Sequence, residues 1–575
     1  MSKKLFSILL VLLMIAGAFG GCGGAGKAET AEAADTVIIG TIYTADDADT
    51  IAKAAAIKDG VYLSVGTEED IQKYIGDDTE VIRLESGMAM PAFFDAHAHG
   101  HEGGVGMLFE VALYEDTSME EYTKSIRAFI DQNPDVEFLT GGGWVNGYCP
   151  PGGPTKEVLD EISSDIPIVI NSGDHHSVWA NSKAMELAGI TADTADVPGG
   201  VIERNPATGE PSGTFRENAI ALFESSIPDY TVEQYKEGIL AYQQEVLTYG
   251  ITAYYEPMVN LGGSGNLLKA YNELDQEKAL KIRVYGGYQI LPDLNPMAEV
   301  EQCAALKEEA KGGDFEITGI KVLVDGVVEG KTAYLLEDYT SDPGFKGEPL
   351  WEQEPLNQAF AKADKLGLQI HTHAIGDAAV KMTIDAYAYA AEKNGSRENR
   401  HAITHLQVVD PADIKRMADL KIVAVTNPYW FCKEPGYFYE LEMPYLGEAR
   451  ANAEYPMKSF FDEGVVVSAA SDYPVTIPSI PLADIQTGIT RCDRMGDPAT
   501  LQNPEQRVTL VQMLRANTIN AAYQNFAEDQ LGSVEAGKKA DLIILDKNLF
   551  DTDPFKISDV TVLKTIMGGN TVFSL

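Results

Sequence analysis

The stretch PAFFDAHAHGH at residues 91–101 sets both the fold and the chemistry expected of this chain. Pro91 to Phe94 predict a short apolar strand, and His97 and His99 follow at its end. Because side chains two residues apart on a strand point to the same side, both imidazoles are aimed into one space. Such a pair is half of a divalent metal site, so later parts of the chain should supply the other ligands.

Further candidate ligands occur in three later runs. LQIHTHAIGD at 368–377 and HAITHLQVV at 401–409 carry histidines, and the apolar run VVVSAASDYPV at 465–475 offers a carboxylate. Imidazoles with carboxylates suit zinc, and also iron, manganese or nickel, so one or two divalent metal ions are expected. A carboxylate at the metal can also accept a proton from its bound water, which makes Asp472 the predicted catalytic base. The predicted metal ligands are His97, His99, His373, His405 and Asp472.

Two residues beside these ligands leave alternatives open. His371 faces the same way as His373, so it either binds the metal, contacts the substrate or supports another histidine through a hydrogen bond. Lys321 lies inside the apolar run GIKVLVDG at 319–326 and is costly to bury while charged. Taken alone, the sequence supports either loss of its charge or pairing with an acid such as Asp325.

Eight apolar runs alternate with helical stretches along the middle of the chain. Helix signals follow the runs: Asp377 is expected to cap the helix that Gly395 ends, and Asp410-Pro411 opens the next helix. This alternation predicts a (β/α)₈ barrel, an α/β fold whose active site lies at the C-terminal ends of its strands, where the candidate ligands occur. By the same logic His401 falls at the opposite end, and His101 is expected in a loop. The eight runs are PAFFDAHAH, GITAYYEP, KIRVYGGY, GIKVLVDG, LQIHTHAIGD, HAITHLQVV, KIVAVTNP and GVVVSAASDYP.

The barrel is predicted to span residues 91–530. Segments with other sequence patterns lie on both sides of it and within it. Residues 35–90 and 531–575 are rich in short β-type runs and are expected to form one composite domain. Residues 102–245 are rich in glycine, proline and aromatic residues and do not follow the alternation. We predict that they form a cap inserted after the first barrel strand and covering the mouth of the site, because long insertions are usually functional.

Composition restricts the partners. The 44 basic and 87 acidic residues give a net charge of −43, which argues against nucleic acid and anionic lipid surfaces. A hydrophobic fraction of 45% is that of a globular protein and indicates neither disorder nor a multispan membrane protein. Because a long cap over a barrel mouth suits a small enclosed ligand, a small-molecule substrate is expected, and a homodimer is left open. The cysteines at 149, 303, 432 and 492 are widely spaced without a CxxC pair, which favours isolated thiols over disulfides.

The first residues resemble a bacterial lipoprotein signal peptide, predicted at 1–21. Lys3 and Lys4 precede the apolar run 5–19, which is too short for a comfortable membrane span and ends at Gly20-Gly21-Cys22. Cys22 would then be lipidated and followed by a linker through residue 34, with an ordinary secretory signal as the alternative. The expected location is the bacterial cell surface or periplasm, with the lipid as the only membrane anchor.

The motifs PAFFDAHAH, HAIGD and SDYPV, with the closing GSVEAGKKADLIILD, resemble the amidohydrolase superfamily. The cap segments GGGWVNG and SGDHHSVWANSKAM are similar to the "amidohydrolase 3" branch, which includes N-substituted formamide deformylases. The resemblance implies a metal-dependent barrel with a small β-sandwich built from both chain ends, and a carboxylated Lys321 as a further metal ligand. It also places a set of cap residues at the substrate, with packing as the alternative: Trp144, Asp174, His176, Trp179, Asn181, Arg216 and Glu217.

The reaction expected from these features is hydrolysis of a non-peptide C–N bond in a small amide, formamide or cyclic amide by metal-bound hydroxide. One alternative is a mononuclear deaminase or an ester or lactone hydrolase on the same scaffold, favoured by one metal and an uncarboxylated Lys321. Another is a non-catalytic solute-binding lipoprotein, against which the intact ligand set argues. Fold alone does not fix the substrate.

Overall fold

The computed structural model describes residues 32–173, 177–197 and 200–575. The predicted signal peptide, Cys22 and the cap residues Asp174 and His176 therefore lie outside the described residues. Within the described part of the chain, no helix is both long and apolar enough to span a membrane. The cysteines at 149, 303, 432 and 492 are free thiols.

The strands of the described residues are numbered in chain order. They are β1 (Thr36–Tyr43), β2 (Ile51–Lys58), β3 (Val61–Gly66), β4 (Glu80–Arg83), β5 (Met88–Pro91), β6 (Phe93–Asp95), β7 (Glu110–Ala112), β8 (Leu139–Trp144), β9 (Ile168–Ser172), β10 (Ser177–Ala180), β11 (Gly200–Arg204), β12 (Pro211–Glu217), β13 (Ile251–Glu256), β14 (Arg283–Gln289), β15 (Phe315–Leu323), β16 (Gln369–Ala374), β17 (Ala402–His405), β18 (Val423–Thr426), β19 (Val467–Ala469), β20 (Leu542–Leu545), β21 (Val562–Met567) and β22 (Asn570–Ser574).

The helices are numbered in the same way. They are α1 (Glu68–Ile71), α2 (Gly100–Phe109), α3 (Met119–Gln132), α4 (Lys156–Asp160), α5 (Ser182–Leu187), α6 (Val232–Thr248), α7 (Asn266–Gln276), α8 (Pro296–Glu309), α9 (Gln353–Lys365), α10 (Asp377–Asn394), α11 (Pro411–Leu420), α12 (Pro435–Tyr437), α13 (Met443–Leu446), α14 (Glu448–Ala451), α15 (Met457–Asp462), α16 (Pro481–Thr490), α17 (Leu510–Ala516) and α18 (Ile519–Gln524).

The barrel expected from the alternating runs is confirmed. Its eight strands follow one another in the order β6-β13-β14-β15-β16-β17-β18-β19, and every neighbouring pair is parallel. Six of the eight predicted runs contain one of these strands, and the other two overlap theirs: β14 ends one residue after its run, and β15 begins four residues before its run. Helices α7 to α11 and α15 to α18 alternate with the later strands, as the right-handed β–α–β connection requires.

Backbone hydrogen bonds between the first and last strands bring the two ends of this sheet together. The N–H of Ala96 donates to the carbonyl of Ala469 over 3.0 Å, just past the end of β6. The N–H of Asp472 then donates to the carbonyl of His97 over 2.8 Å, and that of His99 to Tyr473 over 2.7 Å. The segment carrying the two histidines is therefore held directly against the segment carrying the candidate base.

A second sheet joins both ends of the chain. β20, β21 and β22 continue antiparallel from β5, which pairs in turn with β1, and β2, β3 and β4 complete the sheet. Its apolar side chains, including Ile38, Ala89 and Leu542, form one buried cluster. Because β5 is followed after a single residue by β6, this sheet sets the start of the barrel.

The insertion between β6 and β13 forms a third sheet in the order β11-β12-β10-β9-β8-β7. Helix α2 leads from the histidine segment into this sheet and packs against α6, where Gly104 and Gly238 allow close approach. A β-carbon on Gly104 would stand 2.0 Å from the Gly238 carbonyl oxygen, so a larger residue there would push the two helices apart. The position of the cap over the mouth of the site stays a prediction.

Helix ends match the sequence signals with one exception. Asp410 caps α11 through the N–H of Ala412, Pro411 follows, and Gly395 ends α10 with a φ of 84°. The expectation that Asp377 caps α10 is wrong, because the cap position belongs to Gly376, whose N–H is bound by the side chain of Asp325. Asp377 is instead the first helical residue, and it accepts a hydrogen bond from the N–H of Leu336.

Candidate metal centre

Five barrel strands carry the predicted ligands to the C-terminal end of the barrel. His97 and His99 follow β6, and Lys321 lies near the end of β15. The parallel register of β15, β16 and β17 sets Lys321 beside His371, Leu323 beside His373 and Ala374 beside His405. Asp472 follows β19. Residues far apart in the sequence therefore meet because their strands end at one edge.

The side chains converge closely. One potential ligand atom from each of His97, His405 and Asp472 lies within 4.8 Å of the others, and all three residues are buried. The Oδ1 atom of Asp472 is 3.3 Å from Nε2 of His97 and 3.5 Å from Nε2 of His99. Nζ of Lys321 is 3.2 Å from Nε2 of His97. The rings of His373 and His405 have centroids 4.5 Å apart, which brings the whole predicted set together.

Burial holds three of these histidines in the form that binds metals. It lowers the pKa of His97 to about 3 and that of His373 to about 4, and lowers the pKa of His405 well below its usual range. Burial alone would raise the pKa of Asp472, but the neighbouring His405, His97 and His99 outweigh it and hold the pKa well below the ordinary value. At His99 burial alone would lower the pKa, but the Asp472 carboxylate outweighs it and raises the pKa. The site thus presents the neutral imidazoles of His97, His373 and His405 with an ionised carboxylate, which suits a divalent cation.

Hydrogen bonds determine which ring nitrogen of His373 and of His405 keeps a lone pair for metal binding. Nε2 of His373 lies 3.1 Å from the carbonyl of Gly326, which only accepts, so that nitrogen carries the proton and Nδ1 keeps its lone pair. Nδ1 of His405 lies 3.0 Å from Oδ1 of Asn427, whose Nδ2 donates to the carbonyl of Ala470. Because that second bond orients the amide, His405 donates through Nδ1 and is left with Nε2 free.

The hydrogen-bonding roles at the centre of the site conflict with one another, and a bound cation would remove the conflict. Nε2 of His97 faces the amine of Lys321 and the carboxylate of Asp472 at once, and a single ring nitrogen cannot accept from one and donate to the other. Nδ1 of His99 is buried without a hydrogen-bond partner. The donor types and their unmet bonding capacity therefore fit a divalent metal ion.

Lys321 is almost fully enclosed, with 2% of its surface exposed, and burial lowers its pKa to about 7. A substantial neutral fraction is thus present near neutrality, in line with the first alternative inferred from the sequence. The second alternative, pairing with Asp325, is wrong: the Asp325 carboxylate accepts backbone N–H bonds from Ile375, Gly376 and Tyr334. Burial raises the pKa of Asp325 to about 7, against the effect of these three bonds.

Comparisons with known proteins agree with this geometry. A sequence profile of the amidohydrolase family matches residues 80–573. The chain belongs to the amidohydrolase family. Protein LONG AFTER FAR-RED 3 of Arabidopsis thaliana is 30% identical over 546 residues, covering 93% of this chain and 90% of that protein. An N-substituted formamide deformylase of Arthrobacter pascens is 26% identical, covering 93% of this chain and 97% of that protein.

A solved structure extends the likeness to three dimensions. The crystal structure of an uncharacterized metal-dependent hydrolase from Pyrococcus furiosus matches with a TM-score of 0.72 and 26% identity, covering 91% of this chain and 100% of that chain. The predicted superfamily and its branch are therefore confirmed, and the chain is a metal-dependent amidohydrolase.

Other groups support the amidohydrolase site through contacts with the predicted ligands or with the strands that carry them. His371 is one of them: its Nε2 is 2.8 Å from Nδ1 of His97, and its ring stacks on Tyr255 with centroids 4.4 Å apart. This contact favours a supporting role over substrate binding. His101, expected in a loop, is buried in α2 with Nδ1 3.0 Å from Oε2 of Glu256 at the end of β13.

Two supporting residues were missed by reasoning from sequence. Asp95 accepts the N–H groups of His97 and Ser471 through Oδ1, over 3.1 and 3.0 Å. Asn427 orients His405, as described above. Asp95 had a usable signal, because an acidic residue in the apolar strand PAFFD needs a polar partner. Asn427 had none, since an asparagine before proline is equally typical of an ordinary turn.

The cap residues proposed for substrate contact have other partners. Trp144 and Trp179 are fully buried and donate through Nε1 to the carbonyls of Ile170 and Thr155, both over 2.9 Å. Asn181 caps α5 by accepting the N–H of Ala184. All three lie inside the cap, which favours the packing alternative.

The remaining two cap residues lie at the end of β12. Arg216 is half-buried and donates through Nε to Glu203 over 2.8 Å and through Nη1 to Asn146 over 2.9 Å. Glu217 is exposed and adopts a positive φ of 51°. A role in substrate contact stays a prediction for both residues.

Proposed function

We propose that this amidohydrolase hydrolyses a non-peptide C–N bond in a small amide, formamide or cyclic amide. The observation that carries the proposal is the convergence of His97, His405 and Asp472 at the C-terminal end of the barrel. The similarity to an N-substituted formamide deformylase along almost its whole length supports a C–N bond as the target.

The proposed ligands for one or two divalent ions, zinc first, are His97, His99, Lys321, His373, His405 and Asp472. When bound, such a metal acidifies a water molecule and polarises the carbonyl oxygen of the substrate. The orientation of two proposed ligands is set before a metal binds, because hydrogen bonds to Gly326 and Asn427 fix the rings of His373 and His405.

Asp472 is proposed to move the proton. Its pKa lies well below the usual range, so the carboxylate is ionised and can accept a proton from the attacking water. It then returns this proton to the departing nitrogen, so that the amine leaves neutral. The N–H bond from Asp472 to the carbonyl of His97 fixes the position of its backbone during both transfers.

Lys321 is proposed to be carboxylated. A carbamate forms when a neutral amine attacks CO₂ and loses a proton, and burial keeps much of Lys321 neutral because it lowers the pKa to about 7. The amine of Lys321 lies 3.2 Å from Nε2 of His97. Carboxylation would convert this amine into a carboxylate, which is able to bind two cations. Carboxylation would remove the amine from its contact with His97 and supply a further metal ligand, which suits a site for two metal ions.

The first experiment is the metal content per chain of protein purified without chelator, by inductively coupled plasma mass spectrometry. About two metals per chain would support the binuclear hydrolase and justify a screen of formamides, linear amides and cyclic amides. About one metal would move the proposal towards a mononuclear deaminase or an ester or lactone hydrolase. No metal, and no uptake on adding zinc or manganese, would overturn the proposal in favour of a solute-binding protein.

A further inference from the structure

We propose that Asp325 is a positioning residue for the metal centre, acting through His373. The inference rests on the proposed function, since it assigns a role towards the same metal site. Asp325 follows β15, the strand that carries Lys321, and its side chain is completely buried. It reaches across to the turn after β16, where His373 lies.

The carboxylate binds backbone groups on two separate segments. Oδ1 accepts the N–H of Ile375 over 3.0 Å, and Oδ2 accepts those of Gly376 and Tyr334, both over 2.9 Å. Ile375 and Gly376 come directly after the end of β16. The carboxylate therefore fixes the peptide units that immediately follow the His373 strand.

The neighbours of Asp325 hold His373 from the other side. The N–H of Val324 donates to the carbonyl of His373 over 3.1 Å, and the carbonyl of Gly326 accepts from Nε2 of the ring over 3.1 Å. Oδ1 of Asp325 itself is 3.8 Å from Nε2, too far to take that proton. Residues 324–326 thus set the backbone, the ring orientation and the protonated nitrogen of His373, which leaves Nδ1 for the metal.

A purely structural role has to be separated from this one. Gly376 provides no side-chain cap for α10, and the N–H groups of Ala378 and Ala379 donate instead to the carbonyl of Tyr334. Because Asp325 binds the N–H groups of Tyr334 and Gly376, it also supports the cap of that helix. Loss of a cap would lower the stability of the protein in the absence of metal. Loss of ring positioning would weaken metal binding and change the ligand field, which a cap alone does not control.

The test compares Asp325→Asn with a matched control, Asp364→Asn. Asp364 is a buried carboxylate at the opposite end of the barrel, and it accepts hydrogen bonds from Asn394 over 2.6 Å and Arg397 over 2.8 Å. An asparagine at 325 would present an N–H₂ group to at least one backbone N–H. Zinc affinity is measured by competition with a chromophoric chelator, and the visible absorption of the cobalt-loaded protein reports the ligand geometry.

We expect Asp325→Asn to bind zinc about 10- to 100-fold more weakly and to change the cobalt spectrum, as for other groups that orient metal ligands. Asp364→Asn should lower the Tm of the metal-free protein while leaving zinc affinity and the cobalt spectrum as in the wild type. Wild-type metal affinity and an unchanged cobalt spectrum in folded Asp325→Asn would overturn the inference. If the wild type itself bound no metal, the proposed function would fail instead.

A measurement on the wild type covers the case in which Asp325→Asn does not fold. Nitrogen-15 NMR of the zinc-loaded protein identifies which nitrogen of His373 carries the proton, with the signals assigned by their loss in His373→Gln. Protonated Nε2 and zinc-bound Nδ1 are expected from the bond to Gly326. Protonated Nδ1 would overturn the inference, because the 324–326 segment could not then be what positions the ring.

Discussion

Oγ of Ser471 donates a 2.5 Å hydrogen bond to Oδ2 of Asp95, and this contact joins the first barrel strand to the last. Oδ1 of the same carboxylate accepts the N–H groups of His97 and Ser471. One buried side chain thus fixes the segment that carries the HxH pair and the segment that carries Asp472. Burial raises the pKa of Asp95 to about 6, against the effect of these bonds.

The replacement Asp95→Ala should disturb both segments at once. An alanine in this position accepts none of the three hydrogen bonds, and each unsatisfied buried N–H costs about 1–3 kcal/mol. We expect metal affinity and kcat/KM to fall by about 10- to 100-fold, as for other residues that orient metal ligands. Ser471→Ala, which removes only one of the three bonds, is the milder control. Equal losses in the two variants would contradict a role specific to the Asp95 carboxylate.

Asp472→Asn separates the proton-transfer role from metal binding. The amide cannot take the proton of the attacking water, so kcat should fall by about 10²- to 10⁴-fold, the usual contribution of general acid–base catalysis. The histidines remain in place, so metal content by mass spectrometry should stay near that of the wild type. Wild-type turnover in a metal-replete Asp472→Asn protein would rule out this residue as the base.

Lys321 should react with CO₂ in a pH-dependent way. With a pKa lowered to about 7 the amine is mostly neutral above that pH and mostly charged below it, and only the neutral amine forms a carbamate. Reconstitution of the metal-free protein with zinc and ¹³C-bicarbonate should give a carbamate ¹³C NMR signal that is stronger at pH 8 than at pH 6. Lys321→Met should lack the signal and bind one metal fewer. A wild type with two metals and no signal would contradict carboxylation.

Buried neutral histidines should lower the stability of the metal-free protein as the pH falls below neutrality, whereas the buried carboxyls of Asp95 and Asp325, whose pKa values burial raises to about 6 and about 7, act in the opposite direction. Histidines ionise at about 6.5 in the unfolded chain. In the folded protein burial lowers the pKa of His97 to about 3 and that of His373 to about 4, so the unfolded state binds more protons in between. Each such histidine lowers the free energy of unfolding by up to about 1.4 kcal/mol per pH unit in that window.

Urea unfolding at pH 7 and pH 5 measures this slope. His371→Gln removes one buried histidine whose pKa burial also lowers, so acidification from pH 7 to pH 5 should destabilise this variant less than the wild type. The same change in the free energy of unfolding in both proteins would contradict burial of a neutral histidine at position 371.

The barrel and its ligand positions could be predicted because both depend on local patterns. Each strand is a short apolar run, and β6 delivers His97 and His99 to its C-terminal end, although both residues follow the strand and do not lie on it as expected. The convergence of Lys321, His373 and Asp472 then follows from the rule that parallel strands of a barrel end at one face. No long-range contact had to be known for these steps.

Asp325 and Asn427 could not be predicted as supporting residues, because their partners lie on other segments of the chain. The carboxylate of Asp325 binds the N–H of Gly376 at the start of α10, where Asp377 was expected to be the cap, and nothing near Asp325 in the sequence indicates this. The cap residues were ambiguous for a different reason. A tryptophan in a glycine-rich segment, such as Trp144, looks the same whether it packs inside the cap or binds a ligand.

The pairing of β5 with β20 has a consequence for biosynthesis. Met88 pairs with Leu545 and Pro91 with Leu542, so the strand leading into the HxH segment finds its antiparallel partner only in the last part of the chain. During translation, β1 to β5 leave the ribosome long before β20. The sheet that anchors the start of the barrel is therefore completed only after the barrel strands have been made, and until then the edge of β5 that pairs with β20 stays open in the nascent chain.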